Sequence, residues 1–158
     1  MNFLFPSFWK RPAQLVFFAS LAMAILWISV GAPEGGIVWF KTQVPALWSD
    51  EVLGGPSGPG WIDNNLTDEL FLTLITLSGL AAGFSREPVE DELISLLRWK
   101  ALAQSVLLNA VILIAATWTL YGVTFLYVLY AQLVALLVFY NLRLMWTLRQ
   151  HYTAKYEE

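Results

Sequence analysis

The stretch SREPVEDELISLLRWK, Ser85 to Lys100, gathers four carboxylates, Glu87, Glu90, Asp91 and Glu92, into six positions, with Arg98 and Lys100 close behind. Three kinds of chemistry fit such a cluster: a metal centre, a docking surface for a basic partner, or the solvated end of a helical hairpin. A metal centre needs further ligands, and no second cluster is visible. The one histidine, His151, lies between Gln150 and Tyr152 near the C-terminal end and reads as a surface residue. With no cysteine in the chain, thiolate ligands, disulfides and a cysteine nucleophile are all ruled out. No Gly-rich phosphate loop and no nucleophile with a nearby base is present, so the chain reads as noncatalytic and no cofactor is expected.

The elements that must position these charges follow from composition. Hydrophobic residues make up 58% of the 158, charged residues only 13%, and the mean hydropathy is +0.59. That composition belongs in a bilayer. A formal charge of -3 is too small and too dispersed for nucleic-acid binding. About 20 residues at 1.5 Å each cross a hydrocarbon core of about 30 Å. Ala13 to Val30, Ala101 to Leu120 and Val123 to Leu142 meet that length, and Leu70 to Phe84 does so with Thr67, Asp68 and Glu69 as its first turn. Thr67 is expected to cap that helix, with the two acids against the positive end of its dipole. The expectation is an all-α membrane protein with four transmembrane helices, over residues 12–31, 67–85, 100–120 and 122–143. A re-entrant second segment is the alternative. The first segment follows Lys10 and Arg11 and ends near Gly31 and Ala32, as a signal peptide would, but its apolar run is longer than a typical signal core. It is expected to remain as an anchor.

Cations near span ends are held on the cytoplasmic side. Lys10, Arg11, Arg86, Arg98, Lys100, Arg143, Arg149 and Lys155 all fall on the side of the two termini, and only Lys41 falls opposite. Both termini are therefore expected in the cytoplasm of a bacterial cell, across its inner membrane, with residues 32–66 as an outer loop. Trp99 and Trp118, like Tyr121 and Tyr140, are 19 residues apart. That spacing would set one ring of each pair in each interfacial belt. The outer loop is broken by Pro33, Pro45 and GGPSGPG (Gly54 to Gly60), while Ile37, Phe40, Val44, Leu47 and Trp48 recur at helical spacing. They predict one or two short helices along the membrane face. Asn65, Leu66 and Thr67 form a glycosylation sequon of low specificity.

Pro88 suits the first position of a helix that would continue into the third span, giving a helical extension over 88–99, matched by a second over 144–156. Only Tyr121 and Gly122 separate the last two spans, so these are expected to form a long antiparallel hairpin extended into the cytoplasm. Folding about that point sets Asp91 level with Tyr152. Glu87, Glu90, Asp91 and Glu92 would then form an exposed ion-pair seam with Arg149 and Lys155, while Arg98 and Lys100 reach the headgroups. Val89, Leu93, Leu96 and Leu97 would face Met145, Leu148, Tyr152 and Tyr156.

The four apolar cores hold no Asp, Glu, Lys, Arg or His, which argues against a pump. Asn109 and Gln132 fall at nearly one level of the hairpin and are expected to hydrogen-bond across it; a polar pore lining is the rival reading. Gly79 and Gly83 form a GxxxG step that lets helix backbones approach.

From Leu66 to Arg149 the chain resembles uncharacterised four-span membrane proteins common in Bacteroidota. The residues that carry the resemblance are Phe84 to Glu87, Val89 to Glu92, Leu97 to Arg98, Asn109, Tyr121 to Gly122 and, less closely, Asn141 to Arg143. It implies four helices and cytoplasmic termini, and brings no reaction. The expected role is an accessory or scaffold subunit of a larger inner-membrane complex, with the lipid bilayer and other membrane subunits as partners. A sensor relaying an outer-face signal to a cytoplasmic partner, or a transporter of small solutes or lipids, is the alternative.

Overall fold

A computed structural model of the chain describes residues 4–30, 40–49, 58–88 and 91–156. A short 3-10 turn at Ser7–Trp9 leads into α1 (Lys10–Ser29), followed by β1 (Lys41–Ser49), β2 (Gly58–Asn65), α2 (Thr67–Gly83), α3 (Glu92–Thr119) and α4 (Val123–Tyr156). The chain divides into two compact units, residues 1–18 with 74–158, and residues 19–73. Among the described residues three helical stretches are long and apolar enough to cross a membrane: Ser7–Ser29, Glu92–Thr119 and Thr124–Thr153. They mark the chain as a membrane protein. The 17 residues of α2 rise only about 25 Å, short of a hydrocarbon core of about 30 Å.

The fold is mostly helical but not all-α. Lys41–Ser49 and Gly58–Asn65 form an antiparallel two-stranded ribbon where short helices were expected, with Val44 opposite Ile62 and Pro45 opposite Trp61. Pro45 explains the difference. A helix through Phe40 to Trp48 would lose the amide that bonds back to Lys41 and would crowd that turn. In a two-stranded ribbon every strand is an edge, where proline is tolerated. Thr42, Val44, Trp61 and Ile62 are also good strand formers. One extra residue in β1 between Ala46 and Ser49 makes a bulge. Residues 50–57, which hold most of the GGPSGPG stretch, and Ile37 lie outside the described residues.

The ribbon leads straight into α2. The Oδ1 of Asn65 accepts from the Thr67 amide at 3.3 Å and from the Thr67 hydroxyl at 2.6 Å, so Asn65 supplies the cap expected of Thr67. Asn64 donates to Glu69 in the first helical turn at 2.7 Å. In the same unit the rings of Trp27 and Phe71 approach to 6.0 Å.

Helix α3 starts at Glu92, later than Pro88. Asp91 holds the N-cap position in extended conformation, and its carboxylate accepts from the Ile94 amide at 2.8 Å. A carboxylate at this position satisfies an orphan donor and meets the positive helix end, which outweighs the advantage of proline at the first turn. Gly122, at φ +69°, makes the left-handed turn between α3 and α4.

The core of the first unit joins Ile94 and Ala101 of α3 to Tyr140, Leu144 and Leu148 of α4, with Phe84, Leu97, Leu102 and Tyr152 around them. Leu93 and Leu96, expected on this face, are exposed instead. Tyr140 is also displaced from its expected interfacial role: it is 1% exposed, whereas Trp99, Trp118 and Tyr121 face outward. Gly79 and Gly83 are what admit the rings. A Cβ on Gly79 would lie 2.8 Å from Phe17, and one on Gly83 would lie within 2.3 Å of Tyr140. Gly83→Ala is therefore expected to destabilise by about 1–3 kcal/mol. Gly79→Ala should cost less, because a phenyl ring carries no hydroxyl to fix it and alanine returns up to about 1 kcal/mol of helix propensity. Thermal unfolding in mild detergent reads the order, and a neutral Gly83→Ala would contradict it.

Candidate functional site

Every helix leaves its last carbonyls without intrahelical partners, and around the C-terminal end of α2 the first unit supplies them from several elements. Just before those last carbonyls, Asn141 of α4 adds a bond to Gly79 O at 3.0 Å, and it also donates to Leu137 O of its own helix at 2.9 Å. One residue earlier, Tyr140 donates its hydroxyl to Gly83 O at 2.9 Å. The Ser85 hydroxyl turns back to Ala81 O, and the Phe84 amide closes onto Leu80 O at 2.9 Å. Beyond the helix, Phe5 pairs with the chain like a short parallel strand: its amide donates to Phe84 O at 3.0 Å, and its carbonyl accepts from the Arg86 amide at 2.9 Å. From α3, Arg98 donates Nη2 to Ser85 O at 3.1 Å. A cation at this end also meets the negative pole of α2.

The charged candidates thus separate. Arg98 was expected among the headgroups, yet it is 4% exposed. Its place between Ile94 and Ala101, at helical spacing, turns it to the buried face of α3. Glu87 is also buried and pairs with Lys10 at the start of α1. Asp91 caps α3, and Glu92 lies exposed in its first turn. Arg149 is exposed, and among the described residues no ion pair joins it to Asp91 or Glu92. The expected seam is corrected to that extent: a carboxylate that closes a helix end or meets a nearer cation has no call on a distant one. Glu90 and the side chain of Lys155 lie outside the described residues.

Asn109 and Gln132 do meet. Gln132 Nε2 donates to the main-chain carbonyl of Asn109, while the Asn109 side-chain oxygen is buried without a partner. The bond is thus side chain to backbone, which tightens the approach of α3 to α4 at that level. Ser78 and Ser105, also polar and buried, turn their hydroxyls to carbonyls one turn back.

Asn141, Tyr140 and the buried placement of Arg98 are what sequence reasoning missed. Asn141 was a usable signal, since a buried amide near the end of an apolar span must find a partner. At the α2 end these donors terminate on main-chain oxygens, an arrangement that holds a backbone in place. Among the described residues no three His, Cys, Asp or Glu side chains gather as a metal site. No protein-family model, curated protein or solved structure matches the chain.

The Lys10–Glu87 pair ties α1 to the segment after α2, with both side chains mostly buried. Glu87→Ala removes the carboxylate facing Lys10 and is expected to cost about 3 kcal/mol, while Lys10→Met with Glu87→Leu recovers most of it. Chemical denaturation in detergent measures both, and a double variant as unstable as Glu87→Ala would refute the pairing.

Proposed function

We propose that this chain is a noncatalytic integral membrane subunit, an accessory or scaffold component of a larger complex in a bacterial inner membrane. It crosses four times, with α3 and α4 as a long hairpin extended into the cytoplasm and both termini on that side. The observation that carries the reading is the combination of a tightly satisfied polar end with long apolar faces left open. Leu15, Ile25 and Leu26 on α1, Leu107, Val111 and Ile114 on α3, and Leu126 and Leu133 on α4 are all exposed. Faces like these suit lipid or neighbouring transmembrane helices.

For the fourth crossing the support is composition: Leu70 to Phe84 is an unbroken apolar run, and Thr67, Asp68 and Glu69 lengthen it by about one helical turn. For the hairpin the support is the sequence of contacts, Gln132 with Asn109 and Arg143 with Gln104, which advance in opposite directions along the two helices.

A sensor is the second reading, favoured by the way the ribbon joins α2. Asn64 and Asn65 at the end of β2 bond directly into the first turn of that helix. A displacement of the ribbon would be passed to α2 without a slack linker.

Two measurements decide between these readings. Reporter fusions after Glu158 and within residues 50–57 are expected to be active in the cytoplasm and periplasm respectively. A C-terminal reporter active only outside would overturn the topology. Native mass spectrometry from mild detergent is expected to retain other membrane chains in fixed stoichiometry, and a bare monomer would overturn the subunit role.

A further inference from the structure

An open groove of about 600 Å³ runs between α3 and α4. Its polar end is formed by Gln104 and Arg143, with Trp146 beside them. The Arg143 guanidinium donates Nε to Gln104 Oε1 at 2.6 Å and lies 4.8 Å above the Trp146 ring. Among the described residues no carboxylate lies within ion-pair distance of Arg143. Its fork of donors is held in place by an amide and an aromatic face, and its charge is not neutralised by either.

The rest of the groove is apolar and lies to one side of that cation. Leu108 stands one turn from Gln104, and Phe139 one turn from Arg143, both toward the Gly122 turn; Leu142 completes the wall. The groove therefore has one cationic end and one hydrocarbon end, about 6 Å apart along the helices. That is the polarity of an acyl chain with an anionic headgroup.

We propose that the groove holds an anionic phospholipid of the surrounding leaflet, with its phosphate at Arg143 and Gln104 and an acyl chain along Leu108, Phe139 and Leu142. Charge complementarity selects this occupant. A zwitterionic headgroup also brings a phosphate but sets its own ammonium beside it, so net charge favours an anionic one, and a second copy of the chain would have to bring a carboxylate to the same point. The tryptophan sits at the level where indole rings favour the membrane interface. This inference rests on the membrane topology proposed above, which places Arg143 at the cytoplasmic edge of the last span.

The test uses the full chain in vesicles of phosphatidylcholine with or without phosphatidylglycerol of the same chain length, followed by native mass spectrometry of the lipids retained in mild detergent. Wild-type protein is expected to retain phosphatidylglycerol over phosphatidylcholine by about fivefold, the effect of one interfacial cation. Arg143→Gln should abolish the preference, and Arg149→Gln, at an exposed cation outside the groove, should keep it. Leu108→Trp fills the apolar end without touching the charge and should reduce retention of both lipids, so the inference stays open to refutation if Arg143→Gln fails to fold. No preference in the wild type, equal losses from the two arginine variants, or a lipid-free dimer would each overturn the groove. Failure of the wild type to float with either vesicle would overturn the membrane reading and the groove with it. Stable insertion without lipid preference would overturn the groove alone.

Discussion

Hydrocarbon offers no water to a helix end, so a chain that turns near or within the bilayer must find protein donors for the carbonyls its helix leaves open. Around the C-terminal end of α2 that demand organises the first unit. Asn141 and Tyr140 come from one helix, Arg98 from another, and the Phe5 amide from the chain before α1. Each donor has a second consequence. Tyr140 carries its ring to the surface of Gly83, Arg98 carries its charge into a buried site, and Phe5 draws the start of α1 to where Lys10 meets Glu87.

The glycines and the polar donors are therefore one device. Gly79 and Gly83 are not simply small residues that let helices come close; each is opposite an aromatic ring, and the carbonyl of each accepts from the α4 side chain that arrives there. A Cβ on Gly83 would push away Tyr140, the donor its carbonyl uses, whereas one on Gly79 would meet the ring of Phe17, which has no donor to give. Buried charge fits the same logic. Arg98 lies at the negative end of α2, where open carbonyls and the helix dipole lower the cost of burying a cation, and the Lys10–Glu87 pair, outside the apolar cores, is offset by its mutual attraction.

Much of this was legible in the sequence. Apolar length marked α1, α3 and α4, and the Tyr121–Gly122 step marked the turn between the last two. The spacing of Asn109 and Gln132 about that turn brought them to one level. What was not legible depended on competition between local signals. Asp91 and Pro88 both suit a helix start, and the carboxylate cap won. Val44, Leu47 and Trp48 fit a helical stripe, but Pro45 between them is compatible only with an edge strand. Folding about the Tyr121–Gly122 step suggested that Glu87 and Asp91 reach across to Arg149, whereas a nearer lysine and a cap took them. Arg98 was read as a headgroup anchor because, like Lys100, it is a cation at the end of an apolar span; one helical position is a rotation of about 100°, enough to turn it inward while Trp99 stays exposed.

Packing in the first unit is uneven along the α3–α4 pair, and the unevenness bears on what surrounds the protein. The core residues Ile94, Ala101, Tyr140, Leu144 and Leu148 lie toward the ends remote from Gly122, and nearer that turn Leu107, Val111, Ile114, Trp118, Leu126 and Tyr127 are exposed. In water such a surface would drive aggregation. In lipid it is neutral, because acyl chains solvate leucine as well as another leucine does. A pair of helices held at one end by directional bonds and left bare at the other has little of its own to fix the separation of the bare ends. Among the restraints there are the Gln132 bond to the Asn109 carbonyl and the glycine turn, and the Asn109 side-chain oxygen enclosed beside them has no partner among the described residues.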